Sequence, residues 1–212
     1  MVQERMPATQ RRDQILDVCR RLADEQGFGA VTINAVAAES GVTRTVIYHQ
    51  FGGLLGMQIA LLDREFESAA AGFTTAVTPI DEELSIRSIV ERVLAVVDED
   101  PATWRLFMIP PEGAPPELYE RLSWARTTVL DYLVNLVRTG TAPADLTDTD
   151  LTARTLHAAY DELVRLHLRD PETYTVARIA THAERITEAI LGVESGHRIP
   201  PGPMPAPHVE ST

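Results

Sequence analysis

Apolar positions recur at helical spacing along most of the chain, and strand-like alternation bounded by turn pairs does not recur. From Gln10 to about Gln26 the apolar face is Ile15, Leu16, Cys19, Leu22 and Ala23, with Thr9 as a plausible cap and Gly27 as the stop. Beyond Gly52 and Gly53, residues 54–76 predict a long helix with a stripe of Leu54, Leu55, Ile59, Leu62, Phe66 and Phe73. Asp81 is placed to cap a strongly amphipathic helix carrying Ile86, Ile89, Val90, Val93, Leu94 and Val97. A short helix follows with Trp104, Phe107 and Met108, then a proline-rich loop and a helix from about Pro116 to Thr139. That helix is apolar over so much of its surface that a central, buried position is expected. Residues 149–169 and 173–192 predict the last two helices. The expected fold is all-α, with about nine helices.

The segment TINAVAAESGVTRTVIYHQF, Thr32 to Phe51, reads as two short helices broken by Gly41. Thr32 can cap the first, whose apolar face is Ile33, Val36 and Ala37, and Gly41 supplies a left-handed turn. The second starts at Thr43 and packs inward through Val46 and Ile47. Its outward set is Arg44, Thr45, Tyr48 and His49, a fork of donors with hydroxyls, a phenol and an imidazole that suits phosphates and base edges. This is the pattern of a helix-turn-helix. Thr43 is expected to cap the second helix and meet the DNA backbone, and Thr32 sits at a helix N-terminus that favours an anion.

The wider stretch from Arg11 to Met57 resembles the DNA-binding domain of the TetR (tetracycline-repressor) family. The resemblance rests on Arg12, Ile15, Leu16, Gly27, Val31, Thr32, Ile33, Val36, Ala37, Gly41, Val42, Tyr48 and Phe51, and covers about a quarter of the chain. Gln50 and Leu54 depart from it, standing where members often carry histidine and a phosphate-contacting lysine. Residues 1–8 read as a disordered arm, and the resemblance implies a DNA-binding domain at 9–52 and a helical ligand-binding and dimerisation domain at 53–194. It also implies a homodimer formed through the last two helices. The composition of residues 195–212, rich in proline, reads as a flexible tail.

Composition sharpens this picture at one point. Residues 1–57 carry as many arginines as acids, so the net charge of −12 belongs to residues 58–212. An acidic body is repelled by DNA and by anionic membrane faces, which leaves the N-terminal end as the approachable surface. Arg5, Arg11 and Arg12 make the most basic run and are candidates for phosphate contact. Cys19 is the one cysteine, on an apolar helix face, and reads as a buried thiol in a reducing compartment. No apolar run approaches a membrane span, so a cytoplasmic protein without a membrane partner is expected.

Catalytic signatures are missing: the sequence has no GxSxG, GxGxxG, P-loop or HExxH, and the chain reads as a non-enzyme needing no cofactor. His157 and Asp161, one turn apart, lack a third ligand at metal spacing, so no metal site is expected. Trp104, Phe107, Met108, Trp124, Thr128, Tyr132, His157, Tyr160 and Asp161 combine aromatic surface with a few polar groups. Packing explains each of them singly; the resemblance makes them candidates for a small-molecule pocket. The leading expectation is a ligand-responsive repressor on a pseudo-palindromic operator. The alternatives are a helical carrier or enzyme with a decayed DNA-binding unit, and an activating or ligand-independent regulator.

Overall fold

The computed structural model describes residues 7–78, 84–109, 115–138, 148–192 and 198–199. Among these are nine α-helices: α1 (Ala8–Gln26), α2 (Ile33–Ser40), α3 (Arg44–Phe51), α4 (Leu54–Val77), α5 (Ile86–Glu99), α6 (Pro101–Met108), α7 (Pro116–Leu136), α8 (Thr149–Arg169) and α9 (Val176–Leu191). The described residues are all-α apart from a two-residue antiparallel pairing of β1 (Leu84–Ser85) with β2 (Arg198–Ile199), in which Leu84 is paired with Ile199. β2 falls within the proline-rich segment expected to trail freely; the rest of that segment lies outside the described residues. The helices form two compact units, one of Met1–Ser68 with Ala102–Leu122 and one of Ala69–Pro101 with Ser123–Thr212. Helices α4 and α7 contribute to both.

In the first unit, α1 buries the expected face of Ile15, Leu16, Cys19, Leu22 and Ala23. Its start differs from expectation: Pro7 occupies the cap position and Thr9 lies inside the helix. A proline at the entry has its φ already set near the helical value and no donor to leave unsatisfied. Helix α2 begins as anticipated, with the Thr32 hydroxyl accepting from the Ala35 amide at 3.2 Å, and ends at Gly41, whose φ of 68° is left-handed. Val31, Val36, Ile47, Met57, Leu61 and Leu62 complete a core with α1. Helix α4 therefore presents a face rotated from the one read in its sequence, with Leu54 37% exposed and Met57 and Leu61 fully buried. Apolar residues are dense enough along α4 to draw more than one stripe, and packing partners select among them.

Helix α6 adds Trp104, Leu106, Phe107 and Met108 to this unit's core, with the Phe107 ring set edge-on to Phe66 at 6.3 Å. Glu65 is only 4% exposed, an uncommon place for a carboxyl side chain. It is held by Arg64, whose Nη1 also donates to Asp17, by Arg20 and by the Thr103 hydroxyl, which donates to its carboxylate. A buried carboxylate without such partners would be destabilising by several kcal/mol.

The second unit gathers buried residues of α4, α7, α8 and α9 around Val77, Tyr132, Leu133, Ala153 and Leu156, with Ile89 and Val93 of α5 packed against them. The cap of α5 is Ser85, whose hydroxyl accepts from the Ser88 amide at 3.1 Å; Asp81, the expected cap, lies outside the described residues. Asp148 caps α8 by accepting from Leu151, and Thr175 caps α9 by accepting from Arg178. Arg87 on α5 grips Glu184 on α9 at 2.9 Å. A Cβ on Gly72 would lie 2.5 Å from the Val96 side chain, so the glycine in the middle of α4 is there for close helix approach.

Candidate DNA-reading surface and ligand-binding residues

The turn between α2 and α3 is built by local chemistry. Gly41 adopts the left-handed conformation, the Val42 amide bonds the Ala37 carbonyl at 3.1 Å, and the Ser40 hydroxyl turns back to the Val36 carbonyl. Helix α3 then buries Ile47 and Phe51 and exposes Arg44, Thr45, Tyr48 and His49. Thr32 and Thr43 are exposed as well, so all six residues expected to face DNA are open to solvent. Tyr48 is 55% exposed, which rules out a packed role for its ring. Thr43 occupies the N-cap position of α3 with extended backbone, but its side chain makes no capping bond. The side-chain cap expected of Thr43 is thus not formed, and its hydroxyl is left for other partners.

Two residues besides those six shape this surface. The Asn34 side chain accepts from Arg44 Nη1 at 3.4 Å, drawing the guanidinium toward the first turn of α2. Arg12 donates to the Gln50 carbonyl at 3.0 Å and lies over the Phe51 ring at 4.4 Å. Its guanidinium therefore ties α1 to the C-terminal end of α3. The paired arginines of α1 suggested phosphate contact in the sequence, because a basic run carries no sign of which cation is committed to a neighbouring helix. Leu54, at the start of α4, is a surface apolar residue.

The nine candidate ligand residues divide between the units. Trp104, Phe107 and Met108 lie buried in the first. Trp124, Thr128, Tyr132, His157, Tyr160 and Asp161 belong to the second. There Tyr132 packs edge-on to Phe73, with ring centres 5.6 Å apart, and the Tyr160 hydroxyl bonds Thr187 at 2.5 Å. Asp161 is held by Arg126 and has His157 Nδ1 at 3.8 Å. Thr187 and Arg126, neither singled out in the sequence, are the partners that satisfy Tyr160 and Asp161; only the superposition of distant helices reveals them. Burial pushes the Tyr132 hydroxyl up to about 12, with Tyr160 adding to the shift, so it stays protonated at neutral pH. Burial likewise raises Tyr160, opposed by its bond to Thr187.

Among the described residues no group of three or more histidine, cysteine or acidic side chains could hold a metal ion, and no helix is long and apolar enough to cross a membrane. The α2–turn–α3 arrangement, with Ile47 and Phe51 buried and the outer face of α3 exposed, has the form of a helix-turn-helix.

Residues 15–53 match the family described as bacterial regulatory proteins, tetR family. The HTH-type transcriptional activator FasR of Mycolicibacterium smegmatis is 24% identical over 134 residues, 63% of this chain and 61% of that protein, so the alignment spans less than two thirds of the relative. In fold, the chain is similar to a TetR-like transcriptional regulator from Rhodococcus sp. RHA1, at TM-score 0.70 and 19% identity over 89% of this chain and 100% of that one. It is also similar to SmeT in complex with triclosan, at TM-score 0.68 and 20% identity over 94% and 99%. A further SmeT structure is described as the repressor of the Stenotrophomonas maltophilia multidrug efflux pump SmeDEF, with TM-score 0.62 and 18% identity over 92% and 96%. Residues 15–53 thus carry the segment that the tetR family description covers, and the chain shares its fold with TetR-like structures.

Proposed function

We propose that the protein is a ligand-responsive transcriptional repressor acting in the cytoplasm, which binds a pseudo-palindromic operator as a homodimer and is released by a small-molecule effector. The observation that carries this reading is the exposure of Thr43, Arg44, Thr45, Tyr48 and His49 together on and before one short helix whose opposite face is buried. Arg44 would fork onto a guanine or grip a phosphate, Thr45 would touch a thymine methyl, and Thr32, Thr43, Tyr48 and His49 would meet the backbone or base edges. Residues 9–52 form the reading part in this proposal and residues 53–194 the ligand-binding and dimerising part, with α8 and α9 pairing across the dimer. Two copies of α3 would then sit about 34 to 36 Å apart, or a multiple of that repeat.

An effector bound to the body that fits only one spacing would shift the population away from the operator-competent form. Moving that population from 99:1 to 1:99 requires a preference of about 5.5 kcal/mol. Helix α4 is unbroken from Leu54 to Val77, which suits it to carry such a change. The solved complex of SmeT with triclosan supports a small molecule as the trigger, and SmeT's description as a repressor supports the direction.

Activation is the second reading, and the FasR relative is what favours it. Selecting bound fragments from the source genome, and measuring the winner's affinity with and without metabolite extracts, tests the proposal. A palindromic winner released by an extract component is the expected result; no enriched fragment at low salt would overturn it. Reporter transcription that falls in a deletion strain would favour activation.

A further inference from the structure

The polar side chains buried in the second unit are accounted for almost completely. Asp161 holds Arg126, His167 bridges the Tyr174 carbonyl and Asp98 at 2.8 Å each, and Thr187 bonds Tyr160 and the Ala183 carbonyl. Tyr132 is the exception. It is 5% exposed, its ring is seated on Phe73, and among the described residues its hydroxyl meets no hydrogen-bond partner. A buried donor left without an acceptor is destabilising, and each such group in a native fold calls for an explanation, a bound molecule among them.

Resting on the ligand-binding reading above, we propose that the effector is an uncharged, largely apolar molecule carrying a hydrogen-bond acceptor such as an ester or ketone oxygen, and that the Tyr132 hydroxyl donates to it. The surroundings set the rest of the chemistry. Leu133, Leu156 and Phe73 supply apolar contact, as a ligand site needs around a few polar groups. An anionic head would lack a counter-charge there: Arg126 is committed to Asp161, and Arg138 is exposed and donates to Asn135. Tyr160 is already satisfied by Thr187, so of the two neighbouring phenols only Tyr132 has a donor to offer. Its raised protonation range keeps that donor intact at any physiological pH.

The test uses the full chain and three probes of one length, methyl decanoate, decanoate and decane, each competing against 1-aminoanthracene fluorescence. The wild type is expected to bind the ester about tenfold tighter than the alkane and at least as tightly as the acid, the size of one well-made hydrogen bond. Tyr132→Phe is expected to lose the preference for ester over alkane while still binding both. In ligand-free protein the same substitution should leave the melting temperature unchanged or raised, because it removes an unpaired donor. A variant that keeps the ester preference, a wild type that prefers the acid, or a marked fall in ligand-free melting temperature would each overturn the assignment of Tyr132 and leave the regulator reading standing. Failure of the wild type to bind any of the three would overturn ligand binding itself along with the proposal.

Discussion

A methyl group added to Gly56 would lie 2.0 Å from the backbone carbonyl oxygen of Phe51. The last residue of α3 and the first turn of α4 approach so closely that only a residue without a Cβ fits between them. Two effects compete in Gly56→Ala. Helix propensity favours alanine by about 1 kcal/mol. The clash is with backbone, which cannot swing aside, and overpacking of this kind costs about 1–3 kcal/mol. The net expectation is a loss of stability on urea unfolding together with weaker operator binding, since α3 must shift to relieve the contact. A stabilised variant with unchanged affinity would show that the contact yields cheaply.

The exposed face of α3 can be probed without touching the core. Arg44→Ala should weaken operator binding by about 1–3 kcal/mol, the range for a well-placed base contact. Tyr48→Phe should weaken it by about 0.5–1.5 kcal/mol. Both variants should keep the wild-type sedimentation behaviour, because neither side chain is buried. A changed sedimentation coefficient in either would refute the proposed separation of reading from assembly.

Arg11 and Arg12 adjoin in sequence but should separate in behaviour. Arg12 is engaged with Gln50 and Phe51, so Arg12→Ala should lower the melting temperature and weaken DNA binding with little change in its salt dependence. If Arg11 contacts phosphate, Arg11→Ala should leave stability alone and reduce the slope of log affinity against log salt by about 0.9 per contact. With few arginines on the outer face of α3, a homodimer of the proposed kind should show a slope shallower than about −8. Reversed phenotypes for the two arginines would place the phosphate contact on Arg12.

Thr103 and Glu65 offer a test of the first unit's interior. Thr103→Val removes a hydroxyl that donates to a nearly buried carboxylate, and should cost about 1–3 kcal/mol in urea unfolding. Glu65→Leu removes the carboxylate that Arg20 and Arg64 share, and because those arginines keep some access to water the loss should fall at or below the lower end of the 3–5 kcal/mol seen for fully buried pairs. A Glu65→Leu protein more stable than wild type would mean that desolvation of the carboxylate outweighs its partners.

Burial pushes the Cys19 thiol from 9.0 up to about 12, with Arg64 offsetting only part of the shift. A group whose folded pKa lies above its unfolded one adds stability that is complete below the unfolded value and disappears as pH rises toward the folded one. Stability should therefore fall between about pH 9 and 12, and Cys19→Ala should remove the part of that fall that begins near pH 9. The native protein should also resist iodoacetamide at pH 8 until it is unfolded. Rapid labelling of native Cys19 would contradict its burial.

What could be read along the chain was whatever neighbouring residues decide among themselves. The face of α1, the Thr32 cap, the Gly41 turn and the outward set of α3 follow from spacing, a hydroxyl at the right offset and a glycine that tolerates positive φ, all within a few residues. The start of α5 at Ser85 and the buried face of α4 followed a different rule. Leu54 is apolar enough for a core, yet Met57 and Leu61 took it, because tertiary packing decides which side of α4 is covered. The same holds for Arg12, whose guanidinium found Gln50 and Phe51 thirty-eight residues and more away, and for Glu65, satisfied by Thr103 from the other side of a long excursion of chain. The candidate ligand residues, alike in composition, were sorted into two units, with the Tyr132 hydroxyl unpaired among the described residues and Tyr160 satisfied by Thr187. Local propensity is set by bonds and sterics within a helical turn. Burial, pairing and the spare hydroxyl depend on which distant side chains the packed helices bring together, and no periodicity encodes that.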